Sequence, residues 1–229
     1  MKKNKGIVLL FIVGLIIMSY PHIAQYINNL IYKSQVEQFK NETEIMDPNK
    51  ISEKITSTKK CNQAIYSNEG SLHDPFTEEY NRNTFEECKT APNGEHIASI
   101  EIPKLQLEIP IYLGATENEL SKGIGQVEGS SLPIGGANTH TVLAGHRGMG
   151  TKAMFRNLDQ LEPGDVFYIY TLDEKLEYKI YDIDVILPSE TESLIITEGK
   201  DLASLITCHP YRANSHRLVV YGERYMPKK

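Results

Sequence analysis

The sequence predicts a mainly β fold, a barrel or a sandwich, preceded by an apolar N-terminus and a polar helical segment. Three observations carry this reading. Lys2, Lys3 and Lys5 precede an unbroken apolar run from Ile7 to Met18. Residues 28–95 are polar and contain helix signals. From His96 onward the chain becomes a series of short segments rich in Ile, Val and Tyr, set apart by Gly, Pro and Asn turns, which is the texture of strands. The 229 residues therefore divide into 1–27, 28–95 and 96–229, one domain with attachments.

The apolar run is shorter than the roughly 20 residues of a spanning helix, and by length alone it fits a signal-peptide core of about 7–15 residues. Two features favour an anchor over a cleaved signal or a buried soluble helix. Ser19, Tyr20, Pro21 and His22 place bulky side chains where cleavage needs small ones. Ile23, Ala24, Tyr26 and Ile27 prolong the span, with Tyr20 and Tyr26 as interfacial belt residues. The lysine side then stays in the cytoplasm and the rest faces outward, as a single-pass protein of the cell membrane.

In the next segment Ile27, Leu30, Ile31, Val36 and Phe39 approximate a helical stripe. Asp47 reads as an N-cap with Pro48 at the first helical position. Ile51, Ile55 and Ile65 follow on that second helix, and Gly70 is placed to end it. The strand segments are HIASIEI, LEIPIY, HTVLAG, DVFYIYTL, LEYKIYDIDVI, ASLITC and HRLVVYG. Short helical inserts are expected at Glu117–Lys122 and at Lys152–Asn157.

Composition narrows the function classes. Lys+Arg 24 against Asp+Glu 30 gives a net charge of -6. A nucleic-acid binder carries a basic excess, so no nucleic-acid partner is expected. Three Cys without a CxxC pair argue against both a disulfide-built scaffold and a zinc site, so no metal is expected.

The chemistry concentrates at strand ends. Cys208 closes the run Ala203–Thr207, and Pro210 stops the ladder just beyond it. If the next strand returns antiparallel, Arg217 comes back beside Cys208. His146 ends the HTVLAG strand before a glycine-rich turn. A thiol, an imidazole and a guanidinium then converge. A thiol of pKa about 8.5 is a poor nucleophile at neutral pH until a nearby cation activates it. His supplies that cation and later protonates a leaving amine. Arg, always charged, holds the oxygen of a tetrahedral intermediate. His140, His209 and His216 compete with His146 for the imidazole role at this stage.

These residues resemble a known family. LITC with HR on the following strand, and AGHRG upstream, resemble the sortases, cysteine transpeptidases of Gram-positive cell surfaces. The likeness runs from ASIEIPKL through AGHRG, FRNLDQLEPGDVFYIY and SLITCHPYRANSHRLVVYGER, roughly residues 96–224. It implies a closed eight-stranded β-barrel with Cys208 as nucleophile, His146 as acid/base and Arg217 as transition-state donor. Thr207 is implied to help shape the substrate site. No metal or organic cofactor is implied.

His73-Asp74-Pro75-Phe76 resembles the Asp-Pro-aromatic lid of class C, pilin-polymerising sortases. By that resemblance Asp74 pairs with a guanidinium such as Arg217, and Phe76 covers the cleft. The implied partners are pilin subunits, one supplying an LPxTG-like sorting signal and another an acceptor Lys amine. The rivals are a sortase of another class that anchors proteins to peptidoglycan, a cysteine hydrolase of unrelated fold and a non-enzymatic surface module. Papain-like enzymes place Cys before His in the chain, opposite to the order here. Many class C enzymes carry a second membrane segment near the C-terminus, whereas this sequence ends GERYMPKK. Cys61 and Cys88 bracket the lid segment on the outer side, where disulfides are permitted. Their pairing would leave Cys208 free; the alternative is two reduced thiols.

Overall fold

The computed structural model describes residues 3–68, 72–77, 88 and 94–226. Helix α1 (Lys3–Glu44) runs without interruption through Pro21, so the apolar N-terminus and the first amphipathic stripe form one rod. At about 1.5 Å per residue it is about 63 Å long. It is long and apolar enough to cross a membrane. Its side chains from Ile7 to Ile17 are exposed, whereas Tyr32, Val36 and Phe39 are buried on the barrel wall. Phe39 stacks on His96 with ring centroids 4.4 Å apart, and Lys40 Nζ pairs with Glu108 at 2.8 Å. Burial there pushes the His96 imidazole down to about 4.

Helix α2 (Pro48–Ser67) starts as its sequence dictates. The Asp47 carboxylate accepts from the Asn49 N–H at 2.8 Å, and Pro48 takes the first helical position. Gly70, expected to end it, lies outside the described residues; the helix closes at Ser67. Asn62 clamps this helix to the barrel. Its amide donates to the Leu132 carbonyl at 3.1 Å and accepts from the Leu132 N–H at 2.7 Å. Cys61 is joined to Cys88 by a disulfide with a Cα–Cα separation of 4.7 Å.

The remainder is a closed eight-stranded barrel, not a sandwich. Its strands are β1 (His96–Ile102), β2 (Leu107–Leu113), β3 (Ile124–Gln126), β4 (Thr139–Ala144), β5 (Val166–Tyr170), β6 (Lys175–Ile186), β7 (Asp201–His209) and β8 (His216–Arg224). They close in the order β1-β2-β3-β4-β7-β8-β6-β5, with β2–β3 and β4–β7 parallel and the rest antiparallel. Strand β3 was not visible as a strand in the sequence. Its three residues are too few to display a period. Gly125 is required there, because a Cβ would fall 2.6 Å from the Gly114 carbonyl oxygen.

Period-two alternation sorts the strands into two buried layers. Leu143, Leu205 and Val220 point into the barrel, where the stacked rings of Phe167 and Tyr178 fill the centre. Val142, Ile206 and Val219 point outward, yet they too are buried, in a second apolar cluster with Leu72 and Leu194. That is why β4 and β7 read as continuous apolar runs instead of alternating ones. Helix α3 (Glu117–Leu120) fills the first expected insert and begins with a capping box between Thr116 and Glu119. The second expected helix, Lys152–Asn157, is a correction. That stretch is a set of turns, followed by a 3₁₀ turn at Leu158–Gln160. Its backbone is used elsewhere: the Phe155 N–H donates to the His146 carbonyl at 3.1 Å, which a regular helix over these residues could not do.

Candidate active site

The site is built on strand ends of the outward layer. Cys208 and Arg217 are direct partners in the β7–β8 ladder. Because side chains alternate across a strand, Cys208 shares the outer face with Ile206, and Arg217 shares it with Val219. The thiol and the guanidinium are therefore neighbours by register and need no loop to bring them together. His146 follows β4, which lies parallel to β7 with Ala144 opposite Ile206. Two backbone-directed bonds hold that corner: the Gly145 N–H donates to the Ile206 carbonyl at 3.1 Å, and the Thr207 hydroxyl donates to the Gly145 carbonyl at 2.7 Å. Thr207 is fully buried, and its hydroxyl fixes the corner that precedes His146 against β7.

Residues 72–77 lie across this corner. The Asp74 carboxylate takes both arms of the Arg217 fork, from Nε at 2.8 Å and from Nη2 at 2.6 Å. Arg217 Nη1 donates to the carbonyls of Asn214 at 2.9 Å and His216 at 2.8 Å, so four of the five guanidinium N–H donors are engaged. Both ionised side chains are almost completely covered. Phe76 sits between Arg217 and His146. Its ring lies 5.2 Å from the Arg217 guanidinium carbon and 6.1 Å from the His146 ring. Upstream, Leu72 inserts into the outward apolar cluster, and its carbonyl accepts from the Thr191 hydroxyl at 3.2 Å.

The electrostatics of Cys208 follow from this cover. Burial pushes its thiol up, Arg217 pulls it down, Asp74 raises it again and Arg147 lowers it; the net direction is upward. The resting sulfur is therefore a protonated thiol at neutral pH. His146 Nε2 lies 3.4 Å from a carboxylate oxygen of Glu117 on α3. His146 and Cys208 line one cleft of about 390 Å³.

The competing histidines fall elsewhere. His140 is buried between the Ile195 carbonyl at 3.0 Å and the Ser204 hydroxyl at 2.7 Å. It ties β7 to the β6–β7 connection, which also carries Thr191 and Leu194. His209 contacts Arg147, and His216 bonds its neighbour Ser215 at 2.9 Å. Sequence reasoning passed over Arg147 and Leu72. Arg147 is buried beside Cys208 and pairs with Asp159 at 2.7 Å. Its signal was its place directly after His146 in AGHRG. Leu72 gave no local signal, since one leucine before a polar turn has no period. Among the described residues no group of three or more His, Cys, Asp or Glu is placed to hold a metal ion.

Comparison with known proteins agrees with this geometry. The family model described as Sortase domain matches residues 100–225. A solved Streptococcus pneumoniae sortase C shares 37% identity, covering 84% of this chain and 97% of that one at a TM-score of 0.76. Streptococcus agalactiae sortase C1 shares 38% over 83% of this chain and 97% of its own, at a TM-score of 0.75. Clostridium perfringens sortase C, solved with the C-terminal cell wall sorting motif, shares 34% over 84% and 98%, at 0.73. Among curated relatives, Sortase A of Bacillus anthracis is 32% identical over 127 residues, 56% of this chain and 59% of that protein. Sortase D of Bacillus subtilis is 31% identical over 134 residues, 57% of this chain and 65% of that protein. The match thus spans less than two thirds of either curated relative. By domain match, barrel topology and the position of its thiol, the chain belongs to the sortase family.

Proposed function

We propose that this protein is a class C sortase, a membrane-anchored cysteine transpeptidase that joins pilin subunits. Residues 1–27 are its anchor, 28–95 the helical segment with the lid and 96–229 the catalytic barrel, which faces outward. The observation that carries the reading is the register pair of Cys208 and Arg217, with His146 at the adjacent strand end and Asp74 capping the guanidinium. The solved Streptococcus pneumoniae and Streptococcus agalactiae sortases C support the class, the former described in terms of pilin substrate specificity.

The chemistry follows from the side chains. An LPxTG-like sorting signal replaces the lid in the outward groove. The Cys208 thiol passes its proton to His146 as the sulfur attacks the Thr carbonyl, and the carbonyl oxygen becomes an oxyanion. Arg217, freed from Asp74, donates to that oxygen with the same fork that now holds a carboxylate. The C–N bond breaks as His146 gives its proton to the leaving Gly amine. A thioester remains on Cys208, and a Lys amine of another pilin resolves it to an isopeptide bond. Lid departure has two effects: it uncovers the sulfur, and it removes the Asp74 carboxylate that raises the thiol.

The test is incubation of the full chain in detergent micelles with an LPxTG peptide, followed by intact-mass spectrometry. The expected result is an adduct on Cys208 with the mass of the acyl fragment, discharged by a Lys-containing peptide to an amide. An adduct discharged by peptidoglycan-type amines and not by Lys peptides would assign the protein to cell-wall anchoring instead.

A further inference from the structure

The two sides of Cys208 differ in occupancy. On one side the lid fills an apolar groove, with Leu72, Asp74 and Phe76 laid in sequence from the β6–β7 connection to His146. On the other side lies the cleft of about 390 Å³, whose lining includes His146, Arg147, Cys208, Tyr211, Arg212 and Asn214. Two lining side chains are guanidiniums, and none is a carboxylate. Arg147 is neutralised in part by Asp159 at 2.7 Å. Arg212 differs: it stands on the exposed β7–β8 connection, 5.3 Å over the Tyr211 ring, and makes no hydrogen bond or ion pair among the described residues. Arg156 adds charge at the edge, packed so closely on Gly148 that a Cβ there would lie 2.5 Å from its Nε.

We infer that this cleft is the acceptor subsite, and that it selects a Lys amine flanked by carboxylates on the polypeptide that bears it. The inference rests on the transpeptidase reading above. The sorting signal and the lid compete for the same groove, so the second substrate needs another approach to the acyl carbon. The proton logic fixes which approach. The group that protonates the departing amine must accept a proton from the entering one, by microscopic reversibility. The acceptor therefore enters a space bordered by both His146 and Cys208, which this cleft is. In that step the amine nitrogen bonds to the acyl carbon and the C–S bond breaks. The proton lost by nitrogen passes to His146 and on to the departing sulfur, so an amide and a free thiol result.

The charge of the cleft sets the acceptor class. An attacking amine must be neutral, and a wall of guanidiniums disfavours its ammonium form. The same wall attracts carboxylates beside the amine and repels basic neighbours. Arg212, exposed and without an ionic partner of its own, is the side chain that reads those neighbours.

The experiment uses the full chain in detergent, an LPxTG donor peptide and two acceptors, Ac-Glu-Lys-Glu-NH2 and Ac-Gln-Lys-Gln-NH2. The readout is the ratio of the two amide products at low salt, so that the open fraction of the lid cancels. The wild type is expected to favour the acidic acceptor about fivefold to tenfold, as electrostatic selection at one or two charge pairs allows. Arg212→Ala is expected to bring the ratio near one, and Arg212→Glu to invert it. A wild-type ratio near one, or a preference untouched by Arg212→Glu, overturns the acceptor subsite alone. A donor peptide that never loads Cys208 overturns the transpeptidase reading and the subsite with it.

Discussion

The β7–β8 hairpin and the segment 72–77 each bring a pair of side chains to the proposed site, but they hold them by different physics. Cys208 and Arg217 are placed by a ladder of eight paired positions from Leu202–Glu223 to His209–His216, inside a closed barrel. Moving one relative to the other would break strand hydrogen bonds and flip side chains to the wrong face. Asp74 and Phe76 are held by a bidentate ion pair, one hydroxyl bond from Thr191 and the burial of Leu72. None of these is backbone pairing in a sheet. In the proposed reaction each would be exchanged for an equivalent contact from the substrate: a carbonyl oxygen for the carboxylate, an apolar side chain for Leu72. The proposed site is thus rigid where it would react and replaceable in its proposed cover.

The largest effect should come from the rigid half. Cys208→Ala is expected to abolish the thioester while leaving the barrel folded, because the sulfur sits on the outer face and fills little of the core. Thermal unfolding followed by circular dichroism checks the fold, and mass spectrometry checks the adduct. Arg217→Lys should lower acylation by roughly 10²–10³-fold, the scale of losing one oxyanion donor, since an ammonium does not reproduce the fork. A Cys208→Ala protein that still joins sorting peptides to amines would refute the placement of the chemistry on the hairpin.

The replaceable half should respond in the opposite sense. Removing one partner of a buried ion pair commonly costs about 3–5 kcal/mol, because a charge is left uncompensated. In the proposed lid mechanism the segment swings off and returns Arg217 to water, so the cost is expected as opening and not as unfolding. Asp74→Ala with Phe76→Ala is expected to speed iodoacetamide labelling of Cys208 by about tenfold or more at pH 7, since the open fraction scales the apparent rate. The pH profile sharpens this. In the resting protein Cys208 titrates above the ordinary thiol range, so labelling rises only as the pH passes above that range. Without the Asp74 carboxylate and with water admitted, the midpoint should move to lower pH. Identical profiles for the two proteins would show that the lid does not set the state of the thiol.

The same contrast explains what the sequence disclosed. The hairpin was legible because its information is local: an apolar run, a proline stop and a basic residue at the next strand's start make Cys208, Arg217 and their proximity readable in one short stretch. His146 required the resemblance, since four histidines compete and only the parallel β4–β7 pairing separates them. Strand β3 and the turns at 152–157 escaped because tertiary contacts shape them: a glycine approach within 2.6 Å in one case, a bond to the His146 carbonyl in the other. Leu72 was invisible for the same reason. Its role depends on a groove made by residues far away in the chain. The boundary at residue 27 marks a change in composition that the backbone ignores, because one helix carries both the apolar N-terminus and the residues packed on the barrel wall.

The smallest expected effect tests the tether between the two halves. The disulfide joins α2 to the chain beyond the lid, across a sequence separation of 27 residues. Closing a loop of this size is worth roughly 2–4 kcal/mol against the unfolded chain. In the folded protein α2 is also clamped to the barrel by Asn62, so losing the bridge frees the far end of the lid segment and not the helix. Cys61→Ser with Cys88→Ser should therefore lower the melting temperature by a few degrees and speed labelling of Cys208 about twofold to fivefold, less than the lid double variant. The reason for the ranking is that Asp74, Phe76 and Leu72 all remain to reseat the lid; only the confinement that returns it is lost. Labelling as fast as in the Asp74→Ala, Phe76→Ala protein would mean that the tether, and not the ion pair, holds the cover closed.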